Sequence, residues 1–146
     1  MKTRIANLQR NEIDEILFQA LRSVYQFERS KVAQFGLTYE GIYLLQYLRR
    51  KSPAKMGDIA EEMKIPVSTA TRVVDRLQKK NLLSRCKDPN DKRNILVSLE
   101  DAGDKIVQDV EEHTFRVLTQ NLMDFNEDDI NGFIHTAAQL SRILNE

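Results

Sequence analysis

Between residues 68 and 76 the chain sets out side chains that can read an edge of hydrogen-bonding groups. Ser68, Thr69, Thr71, Arg72 and Arg76 surround Ala70, Val73, Val74 and Leu77, which recur at helical spacing and mark an inner face. Lys79 falls on the outer faces as well. Short hydroxyls in the first turn let a helix sink into a major groove, and an arginine one turn on can take both acceptors of guanine. The first-turn amides can hold a phosphate. A plainer reading competes: Asp75, three residues after Arg72, can pair with it on a wet surface. A second set follows at the polar stretch Asp88-Pro89-Asn90-Asp91, where Lys92 and Arg93 stand beside turn-forming residues. An exposed arginine on such a tip suits the narrow, electronegative minor groove. Asp91 fits there if its carboxylate holds Arg93 in one rotamer; in a plain turn it would instead cap a backbone amide. Together the two sets point to duplex DNA as the partner.

Other chemistry finds little footing. No nucleophile-base-oxyanion grouping, phosphate loop or paired-carboxylate motif appears, so an enzyme is not expected. The single cysteine, Cys86, cannot form an internal disulfide or make a metal site alone. Arg85 and Lys87 flank it and could favour its thiolate, although a plain strand residue is the simpler reading. Glu111, Glu112 and His113 are adjacent, with His135 further on, but read as surface charge rather than a zinc site. No metal or cofactor is expected.

Composition supports this. The 146 residues are 41% hydrophobic and 30% charged, as in a globular chain rather than a disordered one. No apolar run approaches the roughly 18 residues that cross a bilayer, and the first 15 residues have no signal-peptide core, so a cytoplasmic location without membrane attachment is expected. The net charge of zero hides a segregation: from Arg49 to Arg93 the balance is +7, and from Asn94 to Glu146 it is −8. A basic centre on an acidic body is what a local polyanion-binding surface requires.

The elements that position these residues follow from periodicity. Met1–Arg10 lacks a strong pattern and reads as an arm. Asn11 caps a helix reaching about Gln34, with Ile13, Ile16, Leu17, Ala20, Leu21, Val24 and Phe27 as its stripe. Phe18 and Tyr25 lie on a neighbouring face, which favours contact with a second subunit. Gly36 ends this helix and Thr38 caps the next, apolar almost all round from Ile42 to Leu48 and therefore central. A short helix from Gly57 to about Met63, with Ile59, Ala60 and Met63 inward, is joined by Lys64-Ile65 to one that opens on Pro66 and runs to about Lys80. Strands over Leu83–Lys87 and Arg93–Leu99 enclose the polar tip. A helix from Glu100 to about Phe125 and another capped by Asn126, with a stripe from Ile130 to Leu144, complete the chain. The fold class is mainly α with a small β-wing. It is a winged helix-turn-helix over 37–99, with helical dimerisation regions over 1–36 and 100–146, all in one compact domain. A homodimer would carry two reading heads to one palindromic site.

The segments STATRVVDRLQKKNLLSR, DPNDKRNILVSL and AGDKI, with GLTYEGIYLLQYL upstream, resemble the multiple-antibiotic-resistance regulator (MarR) family of bacterial transcription factors over nearly the whole chain. The resemblance implies a triangular homodimer with interleaved terminal helices and a winged helix at each lower corner. It places Ser68, Thr69, Thr71, Arg72 and Arg76 on the recognition helix and makes Arg93 the wing arginine, buttressed by Asp91. The expected function is a DNA-binding regulator, a repressor, on a pseudo-palindromic duplex. Lys64, Pro66 and Asn81 depart from the usual glycine, polar cap and glycine, and Ser98-Leu99-Glu100 from a common Leu-Thr cap. Many members take small aromatic acids or phenols as effectors. Tyr25, Phe35, Tyr39, Tyr43 and Tyr47 are the candidate lining here, although aromatics at helical spacing are more often core. The reactive cysteine that a peroxide sensor of this family carries near its N-terminus has no counterpart. The alternatives are a winged-helix protein-interaction module, or a redox- or metal-responsive member of the same fold.

Overall fold

The element order of the computed structural model, which describes residues 5–146, is helix, helix, strand, helix, helix, hairpin, and three further helices. Helix α1 spans Arg10–Phe35. It begins before the expected cap: Gln9, not Asn11, is the N-cap and makes no side-chain cap bond. Amides of Glu12 and Ile13 bond instead to the Gln9 carbonyl, so Asn11 lies inside the first turn. Residues 1–4 of the expected arm lie outside the described residues; Ile5 and Ala6 are helical. The far end falls where glycine permits it: Gly36 takes φ 66° and its N–H bonds to Val32 O.

Helix α2 spans Tyr39–Arg50, and the Thr38 hydroxyl accepts from the Gly41 amide at 3.1 Å. Ile42, Leu44, Leu45 and Leu48 are buried, whereas Tyr43 reaches solvent, so α2 is central on most of its circumference rather than all of it. Strand β1, Ala54–Lys55, comes next and leads straight into α3, Met56–Met63. Met56 and Ile59 are buried, with Ala60, while Met63 is half-buried. Lys64 closes α3 in the left-handed conformation at φ 56°, where glycine would be easiest. Helix α4 spans Val67–Lys79. Pro66 is its N-cap, one position earlier than expected, with φ −60° and ψ 149°, and its carbonyl accepts from Thr69 and Ala70 at 3.0 Å.

Strands β2, Leu83–Lys87, and β3, Ile95–Leu99, form an antiparallel hairpin, and β1 pairs with the free edge of β3 to give the order β1-β3-β2. The second strand starts at Ile95 rather than Arg93, which leaves Arg93 in the turn. Helix α5, Asp101–Leu122, starts one residue later and ends three earlier than expected. The α2–α4 helices meet the sheet around Leu44, Leu45, Ile59, Val74, Leu83 and Val97, all without measurable exposure or nearly so.

The chain divides into two compact units, one ending at Val107 and the other Gln108–Glu146. The second contains most of α5, then α6, Glu127–Ala137, and α7, Leu140–Leu144. Asn126 caps α6 through its side chain, accepting from Asp129 N at 2.8 Å. The single stripe expected from Ile130 to Leu144 is interrupted by a turn at Ala138-Gln139, which splits it between α6 and α7.

Candidate nucleic-acid interface

Helix α4 turns its apolar face fully inward: Ala70, Val73, Val74 and Leu77 are buried. Ser68, Arg72, Arg76 and Lys79 are therefore left exposed, with Thr69 and Thr71 half-buried at the margin. The Thr71 hydroxyl donates to Val67 O at 2.9 Å, so toward a base edge it can act only as an acceptor. The expected competitor for Arg72 does not take it. Asp75 pairs with Arg85 on β2, Nη1 to Oδ1 at 2.6 Å, and among the described residues Arg72 and Arg76 make no ion pair. Two arginines one turn apart thus stand free on the helix, as groove reading requires.

The wing tip holds the second set. Arg93 is 90% exposed along its side chain, yet it is not loose. Its Nε donates to Asp91 Oδ1 at 3.1 Å and its Nη2 to Oδ2 at 3.3 Å, while its backbone N–H donates to the same Oδ1 at 3.1 Å. Asp91 therefore performs both tasks considered from sequence, fixing the rotamer and capping the turn amide. These bonds from Arg93, side chain first and then backbone, hold the Asp91 carboxyl below the ordinary 3.8, and Lys55 on β1 adds a smaller contribution of the same sign. Asp88 supports the tip from within: it is buried, its Oδ1 accepts from Asn90 N at 2.9 Å, and its own N–H bonds to Asn94 O. Lys92 is exposed beside Arg93.

Sequence reasoning placed Arg85 beside Cys86 and Asp88 in the turn but missed the pairing of Arg85 with Asp75, the support that Asp88 gives the tip, and the part of Lys55. Asp88 had a local signal, the Asx-turn pattern ahead of Pro89. Lys55 had none, because β1 is two residues long and exists only through pairing with Val97 and Leu96.

The five aromatic residues considered as an effector lining do not form one site. Tyr25 and Tyr39 share a groove of about 490 Å³ between α1 and α2 with Leu21, Val24, Glu28 and Arg29. Tyr43 and Tyr47 line a separate cleft of about 240 Å³ with Gln46, Arg50 and Glu62. Phe35 lines neither. In the first groove Glu28 is neutralised by the buried Lys31, Nζ to Oε1 at 2.7 Å, and that ammonium also lies 5.0 Å above the Phe27 ring. In the second, the Tyr43 hydroxyl donates to Glu62 Oε1 at 2.8 Å. That bond to a carboxylate, with partial burial, raises the phenol above its ordinary value.

Cys86 is exposed on β2 opposite Leu96. His113 contacts Arg116 within α5, and His135 on α6 contacts Gln139 in the turn that follows it. Among the described residues no three His, Cys, Asp or Glu side chains converge to hold a metal ion, and no helix is long and apolar enough to cross a membrane.

Comparison with known proteins agrees with this geometry. The MarR family profile matches residues 37–95, from the approach to α2 to the first residue of β3. The HTH-type transcriptional repressor MdtR of Bacillus subtilis (strain 168) is 30% identical over 107 residues, covering 73% of this chain and 69% of its own. Among solved structures, a MarR family protein from Bacillus stearothermophilus superposes with a TM-score of 0.82 at 22% identity, over 100% of this chain and 99% of that one. Wild-type apo MarR from E. coli gives 0.74 at 19% identity, over 94% and 97%.

Proposed function

We propose that this chain, which belongs to the MarR family of DNA-binding transcriptional regulators, works as a homodimeric repressor on a pseudo-palindromic duplex in the cytoplasm. The carrying observation is the pair of arginine settings: Arg72 and Arg76 free on α4, and Arg93 held at the wing tip by Asp91. In this reading Ser68, Thr69, Thr71, Arg72 and Arg76 meet the major groove, Arg93 enters the minor groove, and Lys92 meets phosphate. Residues 37–99 form the DNA-binding region, and 1–36 with 100–146 the dimerisation regions. Support for the dimer comes from apolar side chains that the single chain leaves in solvent, on α1 (Ile16, Leu17, Leu21, Val24) and in the second unit (Phe115, Phe133, Ile134, Ile143, Leu144). A monomer rarely exposes so many large apolar groups. Support for repression comes from the likeness to a transcriptional repressor.

Release by a small aromatic acid is the regulatory part of the proposal. The α1–α2 groove supports it, with Tyr25 and Tyr39 as flat walls. Arg29 is a cation that, among the described residues, makes no ion pair and so can meet a carboxylate. Two of the five aromatic candidates serve this reading.

The test is selection of bound duplexes from a random pool at near-physiological salt. An enriched inverted repeat, with half-sites about one helical turn apart, is the expected result. Retention that falls with salt but enriches no sequence would overturn the proposal in favour of non-specific polyanion binding.

A further inference from the structure

The tie between the recognition helix and the wing is ionic and specific. Arg85, third residue of β2, places Nη1 2.6 Å from Oδ1 of Asp75 on α4. The two side chains are only 35% and 41% exposed. The Asp75 oxygen itself is buried, and the Arg85 guanidinium is the charged group set against it. Arg85 is therefore the group that compensates this charge.

The placement has a cost that calls for a reason. Asp75 falls between Arg72 and Arg76 in sequence, a negative charge on the helix that carries these cations, and taken alone it opposes binding to a polyanion. Meanwhile only residues 80–82 join α4 to β2, and Leu82 and Leu83 anchor the junction by burial. Apolar burial is non-directional; it fixes how close the wing sits but not how it is turned. A charge pair ten residues apart in sequence, one partner on the helix and one on the strand, does fix the turn. Arg85 is paired in register with Val97 of β3, which is fully buried, so the strand pair moves as one and carries the Asp91–Arg93 tip with it.

We propose that Asp75 and Arg85 are positioning residues: their ion pair sets the angle between α4 and the wing, so that Arg72 and Arg93 reach the two grooves of one duplex together. This rests on the reading of α4 and Arg93 as DNA-contacting.

The experiment measures affinity of the full chain for the selected duplex and for an unrelated duplex of equal length. Charge alone predicts that Asp75→Asn tightens both, since a negative group is removed. Positioning predicts that affinity for the selected duplex falls about tenfold while affinity for the unrelated one does not fall. Arg85→Ala should lose a similar factor on the selected duplex. The double variant Asp75→Asn with Arg85→Ala should be no worse than the weaker single, and Arg85→Lys should recover part of the loss. If Asp75→Asn tightens the selected duplex while Arg85→Ala weakens it, Arg85 is a direct phosphate contact and the proposal is wrong. Arg72→Ala separates the levels: if it leaves the selected duplex unaffected, the reading of α4 itself fails; if it weakens binding but Asp75→Asn does not, only the strut fails. Thermal unfolding of each variant guards against misfolding. Should Asp75→Asn unfold, Arg85→Lys against Arg85→Ala decides, with equal losses counting against the strut.

Discussion

Asp91 grips Arg93 at three points, with two bonds to the guanidinium and one to the backbone amide, while 90% of the arginine side chain stays in solvent. An arginine ordered before it meets DNA has less conformational freedom to lose on binding. The sign of its pH dependence follows from the depressed Asp91 carboxyl. The grip is complete above the ordinary aspartate value of 3.8 and is lost as pH falls through the lower, folded value. Between pH 8 and about 5 the Arg93 Nε–H resonance in a nuclear magnetic resonance titration should therefore hold constant, moving only in strong acid. Asp91→Asn should shift it at neutral pH, and should weaken binding to the selected duplex although it removes a negative charge.

Arg72 makes no ion pair among the described residues because Asp75 is held by Arg85. Arg72→Ala should weaken binding to the selected duplex by about 1–3 kcal/mol and flatten the preference at one base pair per half-site. A panel of single-base-pair changes in the duplex reads this directly. A uniform loss across all the duplexes would reassign Arg72 to phosphate.

What the sequence disclosed, and what it hid, divides by the range of the interaction. Thr38, Gly36 and Asn126 act on amides or carbonyls a few residues away, and each was legible as a cap. The α4 inner face was legible because 3.6-residue spacing is itself local. Strand β1 was not, since two residues have no period and its pairing with β3 spans more than forty positions. The Asp75–Arg85 pair was hidden for the same reason: Arg72 was the nearer cation along the helix, and only the chain reversal over 80–82, which lays β2 back beside α4, brings Arg85 closer. The break at Ala138-Gln139 carries no glycine or proline, so the stripe from Ile130 to Leu144 read as continuous.

Gly103 explains part of the AGDKI motif. A Cβ built there would overlap the carbonyl oxygen of Leu82 and lie 2.7 Å from Leu99 Cδ1. The first turn of α5 thus rests directly on the backbone that follows α4, where the Glu100 amide also bonds to Leu82 O. Gly103→Ala should destabilise by about 1–3 kcal/mol, or more if that backbone cannot move. Gly57→Ala is the matched control, with nothing within 4 Å of its Cβ, and should be neutral or stabilising by up to about 1 kcal/mol. Urea denaturation of the two variants checks the contrast.

Lys64 and Asn81 both sit at positive φ, 56° and 59°, where a β-carbon is crowded. Asparagine tolerates this conformation more readily than lysine, so replacement by glycine should help the two unequally. Lys64→Gly should raise the unfolding free energy by about 0.5–1 kcal/mol, once the greater freedom of glycine in the unfolded chain is subtracted. Asn81→Gly should change it by less. Equal gains at the two sites would mean that the strain is set by the turn and not by the side chain.

The apolar groups left in solvent make the dimer the most exacting prediction. Ile16 on α1 is 66% exposed and Phe133 on α6 is 55% exposed. Burying such a side chain is worth about 1.5–3 kcal/mol, and in a two-fold interface each residue counts twice. Ile16→Glu or Phe133→Asp should therefore weaken association by about 3–6 kcal/mol, two to four decades in dissociation constant. Sedimentation equilibrium at micromolar concentration should show the parent chain as a dimer and the variants shifted toward monomer. Their far-ultraviolet circular dichroism should hold steady if the helices form without the partner. Binding to the inverted repeat should fall with the dimer fraction, because one head on one half-site makes half the contacts. A parent chain that sediments as a monomer would remove both the dimerisation regions and the two-headed reading of the duplex.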